Sequence, residues 1–264
     1  TGFNNVRKTL VDNSMVSLFK PNKTVDTLAG ALTITRATTS TEIDRYGRVV
    51  EVPINELGLT NGIYGAATNL TTYSEQFDHA NWTKSNVTIT ANATNAPDGT
   101  ATVSADNFID NATNAFHRIQ SSVSVTSGVS YTLSVMAKDG GFGRHLQLAP
   151  STTGFGSKRT NFDLSNGTIG SSDADSETIE ALADGWYRCS MTVTATSTAG
   201  ASFFIYSVPL STSSRATAYV GGTDAVFSLW GAQSEAGQLS PYIPTTTTAV
   251  TRAATNSWFP IANN

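Results

Sequence analysis

Trp186 and Arg188 alternate along one stretch of this sequence, and His145 and Gln147 along another. Within 186–196 the apolar row Tyr187, Cys189, Met191 and Val193 reads as the buried face of a strand. That leaves Trp186 and Arg188 on the opposite face with Ser190, Thr192 and Thr194. Within 144–149, Leu146 and Leu148 point in, so His145 and Gln147 point the other way. Such residues suit a sugar: an aromatic ring stacks on the C–H face of the sugar ring, while planar amides, imidazole or guanidinium satisfy its hydroxyls. Trp186, Arg188, His145, Gln147 and Tyr206 are therefore the candidate carbohydrate-binding residues. The competing reading of such a Trp is burial under a loop or in a subunit interface, where Trp and Arg are enriched.

Nothing else in the sequence argues for catalysis. It holds no zinc-protease helix, phosphate-binding Gly loop or nucleophile elbow. His79, His117 and His145 are scattered, and no feature supports a Ser-His-Asp arrangement. Asp173, Asp175, Glu177 and Glu180 form the densest acidic cluster, in a Ser-rich stretch that reads as a solvated loop. A glycosidase would instead need two carboxylates roughly 5–9 Å apart across a groove. Asp163 and Asn166 are spaced to offer oxygens to Ca²⁺, but a turn in which both bond their own backbone is the favoured reading. The lone Cys189 reads as a small core residue. The expectation is a non-enzymatic protein with no cofactor and no metal.

The elements that position these residues follow from composition and cadence. Hydrophobic content is 39% and charged content only 14%, with Thr, Ser, Asn and Gly filling the gap. Short strands that face water through Thr and Ser have this composition, because β-branched Thr tolerates an exposed pleated face. A net charge of -4 argues against nucleic acid, for which a basic stripe is expected. No apolar run approaches the roughly 20 residues of a membrane helix, so membrane insertion is not expected.

Residues 4–19 read as a short helix or an extended arm, and 31–36 alternate as a strand. A hairpin follows around Arg45-Tyr46-Gly47, with Gly where positive φ is needed. From Asn69 onward, strands are read at 69–73, 81–90, 115–120, 131–138, 145–148, 162–164, 186–196, 202–206, 218–220 and 226–233. Turn clusters separate them. The last run is apolar on both faces: Val226, Ser228, Trp230 and Ala232 on one, Phe227, Leu229, Gly231 and Gln233 on the other. It therefore reads as central and buried, closing a sandwich in which first and last strands meet. The architecture is all-β: a β-sandwich jelly roll over 67–255, preceded by an arm with a small hairpin over 1–66, and followed by a tail over 256–264.

Several stretches carry a family resemblance. They are Ile34-Thr35-Arg36-Ala37-Thr38, Thr68-Asn69-Leu70-Thr71-Thr72-Tyr73-Ser74, Asn81-Trp82-Thr83, Ala96-Pro97-Asp98-Gly99, Asn161-Phe162-Asp163-Leu164-Ser165-Asn166-Gly167, Asp184-Gly185-Trp186-Tyr187-Arg188, and Leu229-Trp230-Gly231-Ala232-Gln233-Ser234-Glu235 with its Tyr242-Ile243-Pro244-Thr245 tail and Arg252-Ala253-Ala254. Together they resemble a family of tailed-bacteriophage virion proteins found among head-spike, head-fibre and tail-associated components. The core of that family is similar to a carbohydrate-binding-module jelly roll. The resemblance implies a place on the phage particle surface, an arm that docks on capsid, portal, neck, fibre or tail proteins, and a sandwich displayed outward, with host surface glycan as a further partner. Phage fibres generally suggest a homo-oligomer, a trimer above all, although no residue here does. The chain departs from the family at Gly62-Ile63-Tyr64-Gly65-Ala66-Ala67 and at Ser234, where an apolar residue is usual.

Overall fold

The computed structural model describes residues 33–54, 64–100 and 103–258. The reading of 4–19 as a helix or arm lies outside the described residues, as do Ala31 and Leu32 of the first strand. Strands β1 (Thr33–Thr35), β2 (Ser40–Ile43), β3 (Val49–Val52) and β4 (Ala67–Asn69) come first. Next are β5 (Thr83–Ser85), β6 (Val87–Asn95), β7 (Val103–Asp110), β8 (Asn114–Ala115), β9 (His117–Val125), β10 (Ser130–Asp139) and β11 (His145–Pro150). They are followed by β12 (Thr160–Asp163), β13 (Thr168–Ser172), β14 (Ser176–Ala181), β15 (Trp186–Thr194), β16 (Ala199–Val208), β17 (Tyr219–Val220) and β18 (Ala225–Ala236). β19 (Val250–Arg252) and β20 (Asn256–Trp258) close the chain.

Two six-stranded antiparallel sheets form a β-sandwich jelly roll. The first runs β14-β15-β10-β18-β7-β6 and the second β13-β12-β11-β16-β9-β5. Alternating inward rows supply the core between them, as the sequence implies. Tyr131, Leu133, Val135 and Ala137 of β10 meet Cys189, Met191 and Val193 of β15 on one side, and Leu146, Leu148, Ile119, Val123, Phe203 and Ile205 on the other. Each Val, Leu, Ile, Phe or Met among them contributes about 1.5–3 kcal/mol when taken from water. Trp82 anchors the opening segment: its ring meets Phe77 at 4.9 Å and its Nε1–H donates to Tyr73 O.

β18 is central, between β10 and β7, but it does not alternate strictly. Val226 and Phe227 both enter the main core, and so does Ala232, whereas Trp230 packs outside the sheet. The cause is a pair of register shifts, opposite β7 at Ala225/Phe227 and opposite β10 at Ser134/Met136. Gly231 takes up the second with φ +61°, and a Cβ there would stand 2.7 Å from the Met136 sulfur. The first strand read at 69–73 also differs: β4 ends at Asn69. The Asn69 carboxamide replaces the ladder, accepting from Thr71 N and Ser234 N while donating to Ala232 O and Ile243 O. Residues 70–74 thus lie along β18, with Leu70 N donating to Ser234 O.

Five strands, β7, β13, β14, β19 and β20, have no counterpart in the sequence reading. The acidic run read as a loop is partly edge strand β14, carrying Glu177 and Glu180. Only Ile179 of that strand packs on the core, so its pattern is too weak to announce a strand.

Candidate functional site

The two sheets turn very different outer faces to their surroundings, and the five residues singled out from the sequence are divided between them. Trp186 and Arg188 lie on the outer face of the first sheet. His145, Gln147 and Tyr206 lie on that of the second.

The first face is covered. The β2–β3 hairpin lies over it, held by Val49 N donating to Pro97 O and Ala183 N to Gly47 O, both at 2.8 Å. Beneath it Val49, Ala105, Met136, Leu182, Trp186, Trp230 and Tyr242 form a second apolar cluster, in which Trp186 is 1% exposed. Arg188 is buried too, donating to Ser240 O at 2.8 Å. Burial pulls its guanidinium below the usual value against the field of Glu235 and Glu180. Around it the 233–245 segment ties itself down. Glu235 accepts from Gln233 Nε2, Ser240 N and Ser240 Oγ, while Gln233 accepts from Ile243 N. Ser234, the departure from the family pattern, shares a 2.7 Å hydroxyl hydrogen bond with Thr71. Tyr242 donates to Glu75, whose carboxyl burial raises above its usual value.

The second face is open along one strip. Arg118 of β9 lies opposite Tyr206 of β16, Gln120 opposite Phe204, Ser122 opposite Ser202, and Ser124 opposite Gly200. The Arg118 guanidinium sits 4.7 Å from the ring centre of Phe116 and 4.6 Å from that of Phe204. Arg215 from the loop after β16 stands 5.6 Å from the same Phe204 ring. Phe116 is 38% exposed, Gln120 and Ser202 are partly exposed, and Ser122 and Ser124 are exposed. The strip runs into an open groove of about 680 Å³ lined by the apolar Leu70, Val123 and Ala201 as well as by Ser122, Ser124, Ser151, Thr153, Gly200 and Ser202. A cation against an aromatic face, an amide and a row of hydroxyls is a surface that can stack a ring and satisfy hydroxyl groups at once.

The residues named from sequence on this side lie under the strip rather than in it. Tyr206 is buried, and its hydroxyl accepts from Arg118 Nη1 at 3.0 Å. Gln147 is fully buried: it donates to Asn161 Oδ1 and Ser214 O and accepts from Ala216 N, so it staples down the loop that carries Arg215. His145 lies apart, with Nδ1 4.0 Å from Asp163. Asp163 and Asn166 form the self-bonded turn: Asp163 accepts from Ser165 N, Ser165 Oγ, Asn166 N and Asn166 Nδ2. Against the burial that raises it, these bonds hold the Asp163 carboxyl below its usual value. Among the described residues no three His, Cys, Asp or Glu side chains converge as metal ligands. Phe116, Arg118, Gln120, Phe204 and Arg215 were missed. Arg118 and Gln120 share the polar face of a strand visible in the sequence, but the partner strand that brings Phe204 beside them is 84 residues further on in the ladder's pairing of Gln120 with Phe204.

No family model matches this sequence, and no curated protein matches it. Among solved structures it is similar to the enzymatically active domain of bacteriophage CBA120 tailspike protein 4, at 14% identity and TM-score 0.38, over 64% of this chain and 21% of that one. It is also similar to the CBM22-1–GH10 modules of Clostridium thermocellum endo-1,4-beta-D-xylanase 10B, at 16% identity and TM-score 0.38, over 69% of this chain and 30% of that one. A third is the carbohydrate-binding module of Cellvibrio mixtus lichenase 5A in complex with cellotriose, at 13% identity and TM-score 0.30, over 66% of this chain and 98% of that one. The chain thus spans less than a third of the length of the first two.

Proposed function

We propose that this chain is a component of a tailed-phage particle surface whose β-sandwich binds host glycan along the outer face of its second sheet. The observation that carries the glycan half is the strip itself, where Phe116, Arg118 and Gln120 lead into a groove lined by both apolar side chains and hydroxyls. Binding sites of this sort need a few fixed polar groups beside apolar area, and no charge excess over the whole protein. The motif resemblance supports the virion half, with attachment through residues N-terminal to the hairpin and with other virion proteins and further copies of the chain as partners.

The glycan half is tested by binding of the purified protein to host cells, intact and stripped of surface polysaccharide. Saturable binding that free polysaccharide competes away is the expected result; equal binding to stripped cells would contradict it. The virion half is tested by deleting residues 1–30. Loss of the protein from particles, with an unchanged thermal transition, is expected. Normal incorporation would refute attachment through that segment.

A further inference from the structure

The two guanidiniums of the open strip have no acid to answer them. Arg118 and Arg215 both flank Phe204. Neither makes an ion pair among the described residues, whereas the partly buried Arg144 and Arg159 face Asp110 and Asp173. No Asp or Glu occurs in 111–125, in 145–150 or in 199–217, the stretches that build the strip, although the whole chain has a net charge of -4. The Nε atoms of both arginines are enclosed and without a hydrogen-bond partner, as are those of Arg144, Arg188 and Arg252 elsewhere, so it is the missing acid and not the Nε atom that sets the strip apart.

Both cations are also held from behind. Tyr206 accepts from Arg118 Nη1, and Arg215 Nη2 donates to Pro150 O at 2.6 Å, in a loop stapled by Gln147 and by Asn161, which donates to Ser211 O and Ser213 O. The guanidiniums are thus fixed against aromatic carbon before any ligand arrives, and little side-chain freedom remains to be lost on binding. A planar guanidinium matches a carboxylate in two parallel hydrogen bonds, a geometry a lone hydroxyl cannot use.

We propose that this strip selects acidic glycans, chains whose sugar rings carry carboxylates. Arg118 and Arg215 take the carboxylates, Phe116 takes a ring face, and Gln120 with Ser122 and Ser202 takes hydroxyls. The inference rests on the reading that the strip binds glycan.

The test titrates the full chain with polygalacturonic acid and hyaluronan, and with each polymer after its carboxyls are reduced to alcohols. Affinity for at least one acidic polymer should exceed that for its reduced form tenfold or more and weaken as salt is raised. Arg118→Gln and Arg215→Gln should each weaken acidic-polymer binding about tenfold and narrow the ratio of acidic-polymer to reduced-polymer affinity. Thermal melts identify any variant that fails to fold, and the polymer pairs test the unaltered protein. Equal affinity for acidic and reduced polymers would overturn acid recognition and leave glycan binding standing. Binding of none of the four polymers would overturn acid recognition as well. If host polysaccharide is also not bound, the glycan reading falls with it.

Discussion

The outer faces of the two sheets are built from similar residues, yet among the described residues one is covered and the other is open along a strip. Each carries arginine beside aromatic rings: Arg188 with Trp186, Trp230 and Tyr242 on the first, Arg118 and Arg215 with Phe116, Phe204 and Tyr206 on the second. On the first face the rings are roofed by Ile43 and Val49 of the hairpin, and Arg188 gives its hydrogen bond to the chain's own Ser240 carbonyl. On the second face the loop after β16 is pinned to one side, and the strip beside it stays open. Residue type alone therefore does not separate a binding surface from a packing surface. What covers it does.

The largest expected effect is at the covered face. Trp186→Ala removes a large side chain that is 1% exposed and should cost about 3–5 kcal/mol. Because the ring does not reach solvent, the glycan affinity of whatever protein remains folded should be unchanged. Thermal melts paired with polysaccharide binding check both halves. Weakened binding with an unchanged transition would show that the two faces had been assigned the wrong way round.

A smaller effect is expected from Glu75, which accepts from Tyr242 at the edge of that cluster. Burial raises its folded-state pKa, so between the unfolded value near 4.3 and the raised one the native state binds more protons than the unfolded state. Its contribution to stability therefore increases as pH falls through that window and declines as pH rises. Glu75→Gln, which still accepts from Tyr242, should remove this dependence. The stability difference between variant and wild type should be larger at pH 7, in the variant's favour, than at pH 4, below the unfolded value. A difference that is the same at both pH values would rule the linkage out.

The least effect on stability, and the clearest on binding, is expected from Phe116→Ala. The ring is 38% exposed, so the change should stay within about 0.5 kcal/mol in stability. Glycan affinity should fall about tenfold, equivalent to roughly 1.4 kcal/mol. Unaltered affinity would remove the ring from the site.

Much of the fold was legible because alternation is a local property. The inward rows of β10, β11 and β15 can be read from single strands, since every second residue is apolar. Some of the stretches that carry the resemblance also hold residues that tie the chain's described ends together. Arg36 donates to Val52 O and Pro53 O, Thr38 accepts from Ala253 N, and Arg252 donates to Gly65 O. Alternation states which side chains leave the core on one strand. It does not state which sheet the strand joins or what lies over it. Trp186 and His145 thus looked like neighbours from sequence although they belong to different sheets. The roof over Trp186 comes from residues more than 130 positions earlier in the chain, a contact no local pattern carries. The bulge at Gly231 defeated the reading of β18 because one extra residue exchanges the faces of everything beyond it.

The most direct test of the account is hydrogen exchange across the whole chain with and without saturating host polysaccharide. The account predicts added protection in peptides spanning 114–124 and 199–217, and none in 40–52 or 184–190. Protection confined to the hairpin and the Trp186 segment, with the strip unaffected, would contradict it.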